Sequence, residues 1–123
     1  MTTMEIGTKL VELCRAGKNE EALKTLYDED IVSVEAASPP GQSAEKRGIA
    51  AIVAKSQWWA DNHEIHGAKV DGPWPNGDRF IVRFDYDITF KATGKRFTMV
   101  EAALYQVKND KIVREEFFYP TGM

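Results

Sequence analysis

The sequence predicts an α+β fold, in which three N-terminal helices pack on a curved antiparallel sheet formed mainly by the C-terminal half. Apolar residues recur at helical spacing through the first half, apart from one short β-branched run, and they alternate with polar residues through the second half. Helices and strands that are segregated along the chain in this way are typical of α+β proteins. A length of 123 residues suits one domain, and we expect a single domain over residues 1–123.

Apolar stripes and end signals define the three helices. The stripe of the first helix, which we expect to end near Gly17, consists of Ile6, Leu10, Leu13 and Cys14. The second helix begins at Asn19, has acidic residues in its first turn, and is predicted to bury Ala22, Leu23, Leu26 and Tyr27. The third helix is predicted over residues 45–62, with one mostly apolar side formed by Ile49, Ile52, Val53, Ser56, Trp59 and Ala60.

Five strands are predicted around these helices, at residues 31–37, 64–71, 79–91, 96–108 and 111–119. The first strand ends where Pro39 and Pro40 remove backbone donors, and we expect it to pair at an edge of the sheet. Residues 72–78 contain an Asn-Gly pair and are predicted to form a turn. The strand at 79–91 alternates most clearly, and its predicted inner face carries Phe80, Val82, Phe84, Tyr86, Ile88 and Phe90.

Composition and charge exclude several classes of function. Hydrophobic residues make up 43% of the chain, charged residues 28%, and the net charge is −3 without a basic stripe, so we expect no nucleic-acid partner. No run approaches the roughly 20 apolar residues of a membrane span, so we expect no membrane association. Cys14 is the only cysteine, and residues 1–9 lack an apolar signal core. These features predict a cytoplasmic protein.

Three carboxylates are candidates for acid–base chemistry. Glu101 alternates in phase with the bulky side chains of its strand, and burial of that face would raise its pKa; a solvated Glu is the alternative. Glu115 and Glu116 point to opposite faces of the last strand, so only one of them is expected to face the interior. Glu35 shares a face with Ile31 and Ser33, and here too a solvated position at the strand end is the alternative.

Other residues give weaker signals for chemistry. His63 and His66 are three residues apart, which does not match the His-Glu-x-x-His zinc pattern, so we expect no metal and no cofactor. His66 stays a candidate base or donor because its reference pKa is near neutrality. Trp58 and Trp59 point to different faces of the third helix; packing explains either one, and Trp59 is the candidate for contact with a substrate. Nucleophile-elbow, phosphate-loop and dinucleotide motifs are absent from the sequence.

Two segments carry a family resemblance. Residues 27–35, YDEDIVSVE, and residues 100–113, VEAALYQVKNDKIV, resemble ketosteroid isomerase and the SnoaL-like polyketide cyclases of the nuclear transport factor 2-like superfamily. The order of predicted elements agrees over nearly the whole chain. The resemblance implies a cone-shaped fold, a pocket lined by the concave face of the sheet, and a homodimer formed through the sheet.

The resemblance also implies roles for particular residues. Glu35 falls where the isomerases hold the carboxylate that shuttles a proton, and Glu101 falls where they hold a protonated acid that stabilises an enolate oxygen. The residues that match the pocket wall are Glu115, Phe117 and Tyr119 on the last strand and Val82, Phe84 and Tyr86 on the long strand. The sequence departs from the isomerase pattern near Leu10 on the first helix, where that family has a catalytic Tyr, and in having Glu rather than Asp at both acidic positions.

Three functions are compatible with these observations. The first is an isomerase, cyclase or dehydratase that moves protons on a small, mostly apolar carbonyl compound, with Glu35 or His66 as the base and Glu101 as the acid. The second is a pocket that binds a small ligand without chemistry. The third is an association domain whose exposed apolar sheet residues form a dimer.

Overall fold

The computed structural model describes residues 1–121 and contains three helices and six strands. In chain order these are α1 (Thr3–Arg15), α2 (Asn19–Leu26), β1 (Tyr27–Val34), β2 (Glu45–Arg47), α3 (Ile49–Asn62), β3 (His63–Asn76), β4 (Arg79–Phe90), β5 (Lys95–Lys108) and β6 (Lys111–Phe118). The strands form one curved, unclosed sheet in the order β2-β1-β6-β5-β4-β3. The predicted α+β fold, with three N-terminal helices against a curved sheet, is confirmed.

The early strand β1 lies inside the sheet rather than at its edge. It pairs in parallel with β6 on one side and antiparallel with β2 on the other. The prediction of an edge position was wrong because residues 45–47, which we assigned to the start of the third helix, form the edge strand β2. Gly48 follows with a φ of 87°, which a right-handed helix does not include, so α3 begins only at Ile49.

Strand β3 is longer than predicted and contains most of the expected turn. It continues through Pro73 and Pro75 to Asn76, and its pairing with β4 shifts between Asp71 and Trp74. Proline is tolerated there because β3 is an edge strand, with one row of backbone groups that has no neighbouring strand to pair with. The turn to β4 is reduced to Gly77 and Asp78.

The core lies between the helices and the concave face of the sheet, which we call the inner face. Its fully buried side chains include Ile6, Leu10, Ile31, Ile52, Phe80, Val82 and Ile112. Burial of each large apolar side chain contributes about 2 kcal/mol. Gly7 allows a close approach of α1 to the sheet, because a Cβ at this position would lie 2.9 Å from Cβ of Pro73. Within residues 1–121, no helix is long and apolar enough to cross a membrane.

Candidate active site

A cluster of polar side chains lies where α3 packs against β1, next to β6, on the inner face of the sheet. It contains all three carboxylates that the sequence suggested, together with hydroxyl groups and one ammonium. We call it the carboxylate cluster, and its members are Tyr27, Ser33, Glu35, Lys55, Glu101, Glu115 and Tyr119.

Glu115 is the most deeply buried member, with an exposed fraction of 3%. It pairs across the strands with Ser33, whose hydroxyl donates to Oε1 at 2.8 Å, while the Tyr27 hydroxyl donates to Oε2 at 2.5 Å. Burial raises the pKa of Glu115, and the nearby ammonium of Lys55 and the two hydroxyl donors partly offset this effect. The side chain therefore has hydrogen-bond partners for both oxygens within the protein.

Lys55 joins α3 to the sheet. Its Nζ donates to Ser33 Oγ at 2.7 Å and to Glu35 Oε1 at 2.8 Å, and it lies 3.9 Å from Glu115 Oε1. The ammonium also lies 4.9 Å from the centre of the Phe117 ring, a distance typical of a cation–π contact. We did not predict Lys55 as a site residue. A signal was present, because Lys55 follows the buried Ile52 by three residues and therefore lies on the sheet-facing side of the helix.

Glu35 is held from two sides. One oxygen accepts from Lys55, and the other accepts from the Tyr119 hydroxyl at 2.9 Å. Burial and this hydrogen bond to Glu35 raise the pKa of Tyr119 to about 12, so the phenol stays a donor at neutral pH. The Glu35 side chain is 25% exposed, so it can be reached from outside the cluster.

Glu101 is the carboxylate of the cluster to which the residues described by the structure provide no hydrogen-bond partner. Burial, together with the negative charges of Glu35 and Glu115, raises its pKa to about 7, and Lys55 partly offsets this. Within residues 1–121 no fully buried side-chain oxygen or nitrogen lacks a partner, so the Glu101 oxygens are in contact with solvent. At neutral pH this carboxyl group is therefore partly protonated and free to bond with a ligand.

Aromatic rings line the side of Glu101 opposite to Glu35. Phe84 pairs with Glu101 across β4 and β5, and its ring stacks on Tyr86 at 5.9 Å. Trp59 from α3 packs against Tyr86, with ring centres 5.4 Å apart. Trp58 is 56% exposed, so Trp59 is the tryptophan that faces the sheet. Burial and the charge of Glu101 raise the pKa of Tyr86.

Two predicted site residues belong neither to this cluster nor to the aromatic rings beside it. His66 is exposed, and its Nε2 lies 2.7 Å from Thr89 Oγ1 on the face of β4 opposite to Phe84 and Tyr86. Val82 is fully buried in the core. Within residues 1–121 no group of three or more His, Cys, Asp or Glu side chains is arranged to hold a metal ion.

A separate groove of about 480 Å³ lies on the outer, convex face of the sheet and does not include the carboxylate cluster. It is lined by Asp78, Arg79, Leu104, Gln106, Arg114 and Glu116. Its charged residues are ordinary surface groups, whereas the cluster combines buried carboxylates with raised pKa values. Carboxyl groups with raised pKa values in a partly enclosed position indicate a functional site more strongly than exposed charged side chains do, so we place the candidate site at the cluster.

Comparison with known proteins identifies the family. A Mesorhizobium loti protein described as a "putative SnoaL-like polyketide cyclase", with "carbohydrate phosphatase" in brackets, is 48% identical; the match covers 97% of this chain and 100% of that one, with a TM-score of 0.91. Two less similar proteins share the fold. A Burkholderia thailandensis NTF2-like protein is 23% identical, with a TM-score of 0.81, and the match covers 98% of this chain and 92% of that one. A Bacillus subtilis "putative isomerase" is 17% identical, with a TM-score of 0.80, and the match covers 98% of this chain and 90% of that one. No curated protein matches. The family model of the SnoaL-like domain matches residues 1–119, and the chain, which has a nuclear transport factor 2-like fold, therefore belongs to the SnoaL-like family.

Proposed function

We propose that the carboxylate cluster catalyses proton transfer next to the carbonyl group of a small, mostly apolar molecule, as an isomerase, cyclase or dehydratase does. The observation that carries this proposal is the contrast between two neighbouring carboxyl groups. Glu35 accepts hydrogen bonds from an ammonium and a phenol, whereas Glu101 has no such partner and a pKa of about 7. Unlike surroundings of this kind allow one carboxyl group to act as base and the other as acid at a single pH.

The proposed chemistry follows from these two states. Ionised Glu35 removes a proton from the carbon next to the carbonyl, and the electron pair of that C–H bond moves toward the carbonyl oxygen. Protonated Glu101 donates a hydrogen bond, or its proton, to the oxygen on which negative charge develops, and a transferred proton returns to Glu101 as the carbonyl re-forms. Glu35 then returns its proton to another carbon or to a leaving hydroxyl group. The rings of Phe84, Tyr86 and Trp59 provide apolar contacts for the substrate.

Deuterium exchange tests the proposal without knowledge of the natural substrate. Small ketones and β-diketones, for example 2-tetralone, are incubated in D₂O with the protein, and loss of the α-proton signal is followed by NMR. We expect the wild type to catalyse exchange and Glu35→Gln to lower the rate by about 100-fold or more. Glu116→Gln changes a carboxylate on the opposite face of β6 and is the matched control, expected to retain the rate. Equal rates in wild type and Glu35→Gln would refute the assignment of the base.

The role of Glu101 gives a separate expectation for the same assay. Since its protonated form is the active one, the exchange rate should fall as the pH rises through about 7. Glu101→Gln retains a hydrogen-bond donor but has no proton to transfer. We therefore expect this variant to be slower than wild type at pH 6 and to lose the decline above pH 7. A rate that declines above pH 7 in both proteins contradicts the assignment.

A second candidate function is ligand binding without chemistry. Both oxygens of Glu35 already accept hydrogen bonds within the protein. This favours a structural role for the Glu35 carboxylate over a role as the base that removes a proton. The exchange samples distinguish the two functions. A probe that shifts the NMR signals of residues around Glu101, but exchanges no faster than in buffer, supports binding alone.

We also propose a homodimer through the outer face of the sheet. Exposed apolar side chains there include Ile81 on β4, Val100 on β5 and Phe118 on β6, with exposed fractions of 42%, 48% and 49%. An exposed apolar surface of this kind marks an interaction site. Sedimentation velocity should give a dimer for the wild type and a monomer for Phe118→Asp. A monomeric wild type at high micromolar concentration would refute the proposal.

A further inference from the structure

Lys55 is the cation of the carboxylate cluster. Within residues 1–121 no other Lys or Arg side chain forms an ion pair with Glu35, Glu101 or Glu115. The ammonium is in direct contact with Glu35 at 2.8 Å but forms no hydrogen bond or ion pair with Glu101. Its position is fixed by Ser33, which accepts from Nζ at 2.7 Å, and by the Phe117 ring.

We propose that Lys55 is a positioning residue for the reaction described above: its ammonium, which contacts Glu35 and not Glu101, makes Glu35 the base and leaves the exchangeable proton of the cluster on Glu101. This inference rests on the proposed function and adds the physical reason why Glu35 is the base and Glu101 the acid. Two carboxyl groups in one partly buried site compete for a single proton. A cation in contact with only one of them decides which carboxyl group is the base and which is the acid.

The surroundings of Glu101 support this division. The titratable groups that interact with it are all acids apart from Lys55. They are Glu35 beyond β1, Glu115 on β6, Tyr86 on β4, Tyr105 on β5, Tyr119 after β6 and Lys55 on α3. Removal of Lys55 therefore leaves the carboxylates without a compensating charge, and protons should bind to the cluster more tightly.

A purely structural role for Lys55 makes a different prediction. The side chain connects α3 with β1, so its loss can reduce stability without any effect on the protons of the cluster. Lys55→Arg keeps the charge, whereas Lys55→Met keeps most of the aliphatic stem and removes the charge. The double variant Lys55→Met/Glu35→Gln removes both charges of the ion pair. A purely structural role predicts that the Glu101 titration midpoint of the double variant is no closer to the wild-type midpoint than that of Lys55→Met is.

The experiment is a titration of the Glu35 and Glu101 carboxyl carbons by NMR, on protein labelled with ¹³C-glutamate and without any substrate. We expect the wild-type Glu101 midpoint near 7. Lys55→Met should raise the Glu35 midpoint by at least about half a pH unit more than the Glu101 midpoint, about a threefold change in how the two groups share the proton, and Lys55→Arg should leave both midpoints nearly unchanged. Lys55→Met/Glu35→Gln should bring the Glu101 midpoint back toward the wild-type value or below it.

A Glu35 midpoint that rises in folded Lys55→Met by no more than the Glu101 midpoint overturns the proposal. If Lys55→Met does not fold, Lys55→Gln, which keeps a donor to Ser33 but carries no charge, decides by the same comparison. The titration and the exchange assay can fail separately. If the midpoints shift as expected but the protein does not catalyse deuterium exchange, the proposed reaction is refuted and the electrostatic role of Lys55 is supported. If exchange is catalysed but the midpoints do not shift in Lys55→Met, the role of Lys55 is refuted.

Discussion

Glu101→Gln should make the protein more stable at high pH. Burial and neighbouring charge raise the pKa of Glu101 from its usual 4.5 to about 7, so the folded state binds this proton more tightly than the unfolded chain does. The stabilisation from proton binding is complete below pH 4.5 and is lost as the pH rises through about 7. At about 1.4 kcal/mol per pH unit, the ionised carboxylate costs the wild type about 3 kcal/mol above pH 8. Gln, which stays neutral, has no such cost.

The assay is urea denaturation of wild type and Glu101→Gln at intervals between pH 5 and 9. We expect similar free energies of unfolding near pH 5 and an advantage for the variant that grows to about 2–3 kcal/mol by pH 8.5. Glu116→Gln, on the outer face, is the control and should stay within about 0.5 kcal/mol of the wild type throughout. A difference between wild type and Glu101→Gln that does not change with pH would refute the raised pKa, and with it the acid role of Glu101.

Three further predictions concern packing, hydrogen bonds and the thiol. Gly7→Ala should lower the free energy of unfolding by about 1–3 kcal/mol, because the new Cβ lies 2.9 Å from Cβ of Pro73; unchanged stability in urea would show that α1 moves freely. Ser33→Ala removes the donor to Oε1 of buried Glu115 and should cost about 1–3 kcal/mol in the same assay, which a stable variant would contradict. Burial raises the pKa of the Cys14 thiol to about 12, so iodoacetamide at pH 8 should label native protein at least about 100-fold more slowly than protein unfolded in urea, and equal rates would contradict this.

The inner face of the sheet is the part of the site that the sequence predicts best. Strand alternation predicts that Glu101 lies on the same face of the sheet as Tyr105, and Glu35 on the same face as Ser33. In the structure Tyr105 and Ser33 are buried on the inner face, and Glu101 and Glu35 lie on that face with them. This works because a strand has a strict period of two, so a single buried neighbour fixes the direction of every second side chain. Alternation alone does not choose between Glu115 and Glu116, because both faces of the last strand carry apolar residues; the family resemblance selects Glu115.

The helical side of the site was harder to predict. Lys55 lies beside the apolar stripe of α3, and Lys side chains usually extend into solvent, so only the carboxylates of Glu35 and Glu115 on the sheet side explain its position. Tyr27 was assigned to the buried stripe of the second helix, but it begins β1 and donates to Glu115. Contacts of this kind join residues 88 positions apart, and no local pattern encodes them.

The contrast between Glu115 and Glu101 separates a structural carboxylate from a functional one. Glu115 is buried with a hydroxyl donor on each oxygen, so the protein itself compensates for the loss of its hydration. Glu101 is partly buried without any such donor, and the result is a raised pKa and a cost in stability at neutral pH. A ligand oxygen that accepts its proton would supply the missing partner. Binding energy is therefore available at Glu101 and not at Glu115, which is the physical reason to expect substrate there.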